Sequence, residues 1–293
     1  MTSRPRYCIP RLTILLVASF AVSIGLATPQ TIARARPPAI AAALTSVEHQ
    51  SAISSGNVRI KRSANWSGDV ATNHTYEDAY GSWRIPNVGK NTPGGFAAAS
   101  SQWIGIGLGD SKKHPLVQAG SEADIHVGLN QISYYLWWQV VPEDSHQNVI
   151  DLGVLVKAGN LISAHIHLSR NNAYITLADE GISTTIHFNR HGQTISSDGH
   201  AEWIDERTEL TFVNSVYPAL ADSTVTFTHA EASAPGLSKR AVGRLPHYAN
   251  TMWTCKRPIV ELAVPLKITQ GGTKFTIQWK HFGHADKPGC SPG

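Results

Sequence analysis

The stretch Leu161-Ile162-Ser163-Ala164-His165-Ile166-His167-Leu168-Ser169 alternates between apolar and polar side chains. From Ile162 to Leu168 every second residue is apolar, and the residues between them are serine or histidine. A period of two predicts a strand of an antiparallel sheet, with one face on a core and the other face in solvent.

The same alternation recurs outward along the chain, around Val225–Phe227 and Phe275–Trp279. Turn signals separate such runs, and no long segment has the 3.6-residue period of a helix. These turn signals are Asn171-Asn172, Gly192 and Gly271-Gly272. We therefore predict an all-β fold, a sandwich of two antiparallel sheets.

The N-terminal residues 1–27 have the pattern of a secretory signal peptide. Three arginines precede an apolar run from Leu12 to Leu26, and small residues follow around Ala27. The run is short for a membrane span. We expect cleavage near Ala27, and an uncleaved N-terminal anchor is the alternative.

Residues 28–62 are rich in Ala, Pro, Ser and Thr and are predicted to be a pro-segment or linker. Lys61-Arg62 at its end is a candidate processing site. One domain is expected over residues 63–282, since all-β domains reach this size, with a C-terminal tail over residues 283–293.

The positive charge of the chain comes from its leader. Residues 1–62 contain eight Lys and Arg and one acid, which leaves 17 basic and 20 acidic residues in 63–293, a net charge of −3. A domain with this balance has no basic surface of the kind that binds nucleic acid. Thirteen of the 14 histidines lie in the domain, so its charge becomes positive as pH falls through about 6.5.

Two cysteines remain after removal of the leader, which contains Cys8. An even pair in a secreted chain predicts a disulfide between Cys255 and Cys290, and two free thiols are the alternative. The disulfide would stabilise the fold by roughly 3–4 kcal/mol on the chain-entropy account.

A series of short motifs follows in order along the predicted domain. They are Ser63–Gly68, Tyr80–Pro86, Trp103–Ile106, Leu116–Gly120, Tyr134–Pro142, Ala201–Ile204 and Gly272–Trp279. In this order they resemble the glutamic peptidases, or eqolisins, which are secreted and cut peptide bonds in acid. The resemblance implies a concanavalin- or lectin-like jelly roll with a catalytic pair on its concave face.

The resemblance assigns the catalytic pair to Gln118 and Glu202. A carboxylate can accept the proton of a water molecule and later return it to the leaving nitrogen. A primary amide donates two N–H groups and keeps them in acid, so it can stabilise the oxyanion. The resemblance therefore implies Glu202 as general base and then acid, and Gln118 as oxyanion donor.

The sequence departs from the family pattern at two positions. The family commonly has acids near the catalytic pair where this chain has Gly107 and Gln139. Fewer negative neighbours should give Glu202 a lower pKa than the same glutamate has in a relative with both acids.

Tryptophans are expected on both sides of one strand. Adjacent strand residues face opposite sides, so Trp137 and Trp138 should not both lie in the core. The resemblance favours Trp103 and Trp137, with Gln139, as substrate-binding residues.

Two classes of function follow from the sequence. The first is a secreted, monomeric, acid-acting endopeptidase for polypeptides, without cofactor, metal or stable membrane association after signal cleavage. The second is a lectin-like or degenerate-peptidase module that binds peptides or glycans. His165 and His167 share a strand face but have no Cys or acid at ligand spacing, so we predict no metal site there. A glycosidase has less support, because the motif offers one Glu and one Gln instead of two carboxylates.

Overall fold

The computed structural model describes residues 58–89, 98–109, 114–126, 131–141, 144, 147–153, 155–189, 199–209, 217 and 219–292. The predicted signal peptide and most of the predicted pro-segment lie outside these residues. Short 3₁₀ helices cover Val242–Arg244 and Gln270–Gly272. None of the helices among the described residues is long and apolar enough to cross a bilayer.

Strands supply nearly all of the regular structure in the described residues. They are β1 (Arg59–Ser63), β2 (Trp66–Ala71), β3 (Asp78–Arg84), β4 (Ala98–Ile106), β5 (Leu116–His126), β6 (Gln131–Val141), β7 (Asn148–Ile150), β8 (Leu161–Ser169), β9 (Asn172–Asp179), β10 (Ile182–Asn189), β11 (Ala201–Glu206), β12 (Ala219–Leu220), β13 (Val225–Ala234), β14 (Leu237–Ala241), β15 (His247–Trp253), β16 (Glu261–Pro265) and β17 (Phe275–Trp279).

The strands form two sheets that share β13. The first sheet has the order β7-β6-β5-β4-β11-β2-β15, and β16 and β17 continue it from β15 to the start of β13. The second sheet has the order β10-β9-β8-β3-β13-β14. All of these pairings are antiparallel. The predicted two-sheet antiparallel sandwich is confirmed.

The alternating stretch that predicted a strand is β8. Its apolar residues from Ile162 to Leu168 are buried, whereas the residues between them are partly or fully exposed. The buried apolar residues of β8 belong to the same core cluster as Trp203 and Ile104 of the first sheet. The core therefore lies between the two sheets, as period-two alternation requires.

Strand β1 includes the predicted processing site. Residues from Arg59 to Ser63 pair in parallel register with Tyr248–Met252 of β15. The ammonium of Lys61 lies 3.5 Å from the centroid of the Tyr248 ring. The last residues of the predicted pro-segment thus extend the edge of the first sheet.

The predicted disulfide between Cys255 and Cys290 is present, with an S–S distance of 2.09 Å. It anchors residues of the predicted tail. In the same tail Asp286 is buried and forms an ion pair with Arg207, with 3.0 Å between Nη2 and Oδ2.

Candidate active site

Strand β4 separates the two residues of the predicted catalytic pair. In the register of the first sheet Gly105 lies opposite Gln118 on β5 and opposite Glu202 on β11. Neighbouring strands are about 4.8 Å apart, so the two Cα atoms are roughly 10 Å apart. Both side chains leave the same face of the sheet. Gly105 has no side chain, and the side chains of Leu116 and Trp103 occupy the space above it.

The Glu202 carboxyl group is almost enclosed by protein. The residue is 2% exposed, and its Oε1 lies 3.5 Å from Nδ1 of His200, whereas Oε2 has no hydrogen-bond partner. Burial raises the pKa of Glu202, and the hydrogen bond and charge of His200, with the charge of Lys61, partly oppose this effect. The shift expected from Gly107 and Gln139 is relative to a family member with both acids and stays a prediction; burial is a separate effect that raises the pKa above that of a free glutamate.

The side-chain amide of Gln118 has an oxygen without a hydrogen-bond partner and a nitrogen that makes one hydrogen bond. The residue is 6% exposed, and its Nε2 donates to Oε1 of Gln139 at 3.1 Å, while its Oε1 has no partner. Gln139 in turn donates from Nε2 to the carbonyl of Asp144 at 3.2 Å. Because a primary amide has two N–H groups, one donor of Gln118 remains available.

A cleft of about 490 Å³ opens beside Gln118 on the same face. Gln118, Trp137 and Gln139 are among its lining residues, whereas Glu202 and Trp103 are not. Trp103 is fully buried and packs edge-on against Trp66, with ring centroids 5.2 Å apart. Trp103 can therefore reach a ligand only through its neighbours.

Glu206 forms part of a carboxylate row that the sequence analysis did not identify. It accepts hydrogen bonds from Nε1 of Trp103 at 2.8 Å and from Nδ2 of Asn65 at 2.9 Å. Burial raises the pKa of Glu206 to about 7, although these donors oppose the shift. Glu206 follows Glu202 by four residues on the same strand, so period-two counting would have placed both on one face.

Glu122 and Asp124 continue the row on β5. Gln147 donates to Oε2 of Glu122 at 2.6 Å, and the hydroxyl of Tyr135 donates to Oδ2 of Asp124 at 3.1 Å. Burial, and then the charge of Asp124, raise the pKa of Glu122 well above its ordinary value. Glu122 follows Gln118 by four residues, which is the same signal as for Glu206.

The sequence pattern of the Peptidase A4 family matches residues 64–246. The chain belongs to this family. The motifs noted in the sequence resemble the same group, the glutamic peptidases or eqolisins, so that identification is confirmed. A comparison with curated protein sequences finds no match.

Solved structures of the family have the same fold. Scytalido-glutamic peptidase with a transition-state analogue inhibitor is 18% identical, with a TM-score of 0.57, over 74% of this chain and 98% of that chain. SCP-B, an eqolisin in complex with the tripeptide Ala-Ile-His, is 17% identical, with a TM-score of 0.53. This comparison also covers 74% of this chain and 98% of that chain. At this identity the comparison establishes the β-sandwich, and the family match supports a peptidase.

Backbone geometry accounts for one departure from the family pattern. Gly107 has a φ of 122°, which L-residues with a side chain rarely adopt. A Cβ atom at this position would overlap the carbonyl oxygen of Pro115. An aspartate therefore cannot occupy position 107 unless the backbone changes.

Trp137 and Trp138 face opposite sides of β6. Trp137 lies on the cleft face, where its Nε1 donates to Oγ of Ser101 at 2.9 Å. Trp138 packs against the main core and stacks on Phe188, with centroids 5.4 Å apart. The expected division between the two rings is thus present.

His165 and His167 have an acidic neighbour that the sequence analysis missed. Oδ1 of Asp78 lies 2.9 Å from Nε2 of His165 and 2.8 Å from Nδ1 of His167. The expectation that no acid is close was wrong, because Asp78 comes from the adjacent strand β3. Within the described parts of the chain, three ligand atoms are close enough for a metal only at Cys255, Asp286 and Cys290, where the disulfide already uses both sulfurs.

Proposed function

We propose that this protein is a secreted, acid-acting endopeptidase in which Glu202 and Gln118 form the catalytic pair. The observation that carries this proposal is their shared register partner, Gly105, which puts a buried carboxyl group and an amide on one face of the sheet, two strands apart. Membership of a peptidase family supports the reaction class.

In the proposed mechanism Glu202 first acts as a general base. Its unpartnered Oε2 accepts a proton from the attacking water molecule, and the water oxygen adds to the peptide carbonyl carbon. The free N–H of Gln118 donates to the oxyanion that forms. Glu202 then returns the proton to the leaving nitrogen, so the carboxylate is regenerated and no covalent intermediate is needed.

The burial of Glu202 suits this role in acid. A base with a raised pKa is stronger when ionised, and Brønsted behaviour favours a pKa near the working pH. The amide of Gln118 does not titrate, so the oxyanion donor is retained at every pH at which Glu202 can work.

We propose that polypeptides bind along the cleft that Gln118 borders. Gln139 would contact the substrate directly, Trp137 would form an almost fully buried wall of the cleft, and Trp103 would act by holding Trp66 and Glu206. The tripeptide bound to SCP-B supports a peptide ligand for this fold.

Secretion of the protein is a proposal that rests on its leader. We propose residues 1–27 as signal peptide, 28–62 as pro-segment and 63–282 as the domain. We also propose that the domain is a monomer and does not bind nucleic acid. The Cys255–Cys290 disulfide supports an oxidising compartment.

A non-catalytic peptide- or glycan-binding module is the second candidate. The engagement of Gln118 with Gln139 favours it, because this hydrogen bond occupies one of the two amide N–H groups. The enclosure of Glu202 favours it too, because water must reach the carboxyl group before any hydrolysis.

Cleavage of a denatured protein in acid tests the proposal. The wild type should cleave it, Glu202→Gln should not, and Glu180→Gln, which changes an exposed glutamate in a turn, should match the wild type. Thermal unfolding checks that Glu202→Gln folds. Peptide binding by the wild type without cleavage would support the binding module instead.

A further inference from the structure

A second cavity, of about 350 Å³, lies away from the cleft. Asp69 of β2 lines it, and the adjacent residue Val70 lies opposite Glu202 in the sheet register. Successive strand residues point to opposite faces. The cavity is therefore on the other face of the first sheet from the proposed catalytic pair.

The buried residue Asp69 has no adequate partner. It is 2% exposed; its Oδ1 lies 3.8 Å from Nε2 of His247, and its Oδ2 has no hydrogen-bond partner. His247 donates from Nδ1 to the carbonyl of Leu245 at 2.9 Å, which holds the ring in this orientation. Burial raises the pKa of Asp69 to about 8. A buried polar group without a partner is costly, so the site favours a ligand that donates to Asp69.

The rest of the cavity lining has the opposite charge. Arg244 and Lys267 line the cavity and are exposed, and Asp69 is the only acidic residue among the described residues of the lining. The Nε of Arg244 donates to the carbonyl of Gly271 at 3.4 Å, which leaves its terminal nitrogens free for a ligand. Such residues attract a carboxylate.

Apolar side chains complete the lining. Leu266, Ile268 and Val58 also line the cavity. Small-molecule sites commonly combine an apolar lining with a few polar groups that fix the orientation of the ligand. Volumes of such sites start at about 300 Å³, so the cavity suits a small ligand.

We propose that this cavity binds a small aliphatic zwitterion, an amino acid or a dipeptide, with its ammonium on Asp69 and its carboxylate on Arg244 and Lys267. The proposal is independent of the peptidase function, because the cavity and the catalytic pair lie on opposite faces of the sheet.

Calorimetric titration at neutral pH, in two buffers of different ionisation enthalpy, tests the proposal, because Asp69, with its pKa raised to about 8, must release its proton when it pairs with the ammonium. The probes are L-leucine and glycyl-L-leucine as zwitterions, with leucinamide, which has no carboxylate, and 4-methylpentanoate, which has no ammonium. At least one zwitterion should bind about tenfold or more tightly than both single-charge probes, since each of those probes lacks one of the two charge-assisted hydrogen bonds. Which zwitterion binds more tightly distinguishes an amino acid from a dipeptide.

Variants separate the two ends of the ligand. Asp69→Asn, which keeps the side-chain shape, should weaken binding about tenfold or more. Lys267→Ala should weaken binding of the zwitterion and leave the affinity for leucinamide unchanged. Lys256 is an exposed lysine outside the cavity, so Lys256→Ala should change neither affinity. Should Asp69→Asn fail to fold, Lys267→Ala still tests the proposal.

Three outcomes would overturn the proposal. The first is the absence of saturable binding by either zwitterion, which would leave the cavity to water. The second is an affinity of leucinamide equal to that of the tighter-binding zwitterion, and the third is unchanged binding in a folded Asp69→Asn variant. Because none of these measurements uses peptide cleavage, an inactive protein with a functional cavity would refute only the proposed peptidase.

Discussion

Nδ1 of His200 lies 3.5 Å from Oε1 of Glu202, two residues along the chain and on the same face. This imidazole opposes the effect of burial, because its hydrogen bond and positive charge favour the ionised carboxylate. The pKa of Glu202 is nevertheless raised. The acid limb of the pH–rate profile should therefore lie above the ordinary carboxyl value.

His200→Ala should move that limb to still higher pH. Loss of the hydrogen bond and the charge disfavours the ionised base, so more alkaline conditions are needed to deprotonate Glu202. Measurement of kcat/KM against pH checks this on the free enzyme. His187→Ala, an exposed histidine on β10, is the matched control. An acid limb that stays in place would show that His200 does not act on Glu202.

Gln118→Ala should lower kcat by about 10²–10³-fold, which is the usual cost of losing one oxyanion donor. The fold should survive, because Gln118 makes a single side-chain hydrogen bond to Gln139 among the contacts of the described residues. Single-turnover kinetics measure the chemical step, with Gln278→Ala as the control. Wild-type turnover by Gln118→Ala would refute the assigned role.

Gln139→Glu should move the acid limb upward by less than about one pH unit. Three strand spacings separate Gln139 from Glu202 in the sheet register, roughly 14 Å between Cα atoms, and the Coulomb energy at this distance is about 1 kcal/mol or less. The pH dependence of kcat/KM measures the shift. A limb that stays in place or moves downward would show that Gln139 is not electrostatically coupled to Glu202.

Chelators and reagents directed at serine or cysteine should leave cleavage unchanged, because the proposed mechanism uses neither a metal nor a covalent nucleophile. Assays with and without each reagent measure this. His167→Ala should also keep wild-type activity, since His167 bonds to Asp78 on the second sheet. Loss of activity in a chelator, with recovery on adding zinc, would contradict the proposal and direct attention to His165 and His167.

Stability should fall as pH rises from about 4 to about 8. Burial raises the pKa of Asp69 from 3.8 to about 8, that of Asp205 from 3.8 to about 7 and that of Glu206 from 4.5 to about 7. At a pH between the unfolded and the folded pKa of each group, the folded state binds more protons than the unfolded state. The stability linked to each group is thus complete below its unfolded pKa and is lost through its folded pKa.

Urea unfolding across this pH range measures the effect. The slope contributed by one group is at most about 1.4 kcal/mol per pH unit. Asp69→Asn should flatten the decline, because asparagine does not titrate. Rising stability between pH about 5 and about 8 in the wild type would contradict the assigned shifts.

Short-range pattern sufficed for part of the site. The alternation of Leu161–Ser169 predicts β8, and adjacent Trp137 and Trp138 face opposite sides because strand geometry leaves no other choice. The family motifs identified Gln118 and Glu202. Counting four residues onward from each would also have found Glu122 and Glu206.

The sequence by itself determined the two-sheet sandwich, the Cys255–Cys290 disulfide and the family. These depend on side-chain periodicity, on an even number of cysteines after the leader and on local motifs. Only the tertiary structure decided that Gln118 and Glu202 lie on either side of Gly105 in the sheet register, and that Asp78 bonds to His165 and His167. It also decided that burial raises the pKa of Glu202. Strand register and desolvation depend on contacts between residues far apart in the chain, which local patterns do not encode.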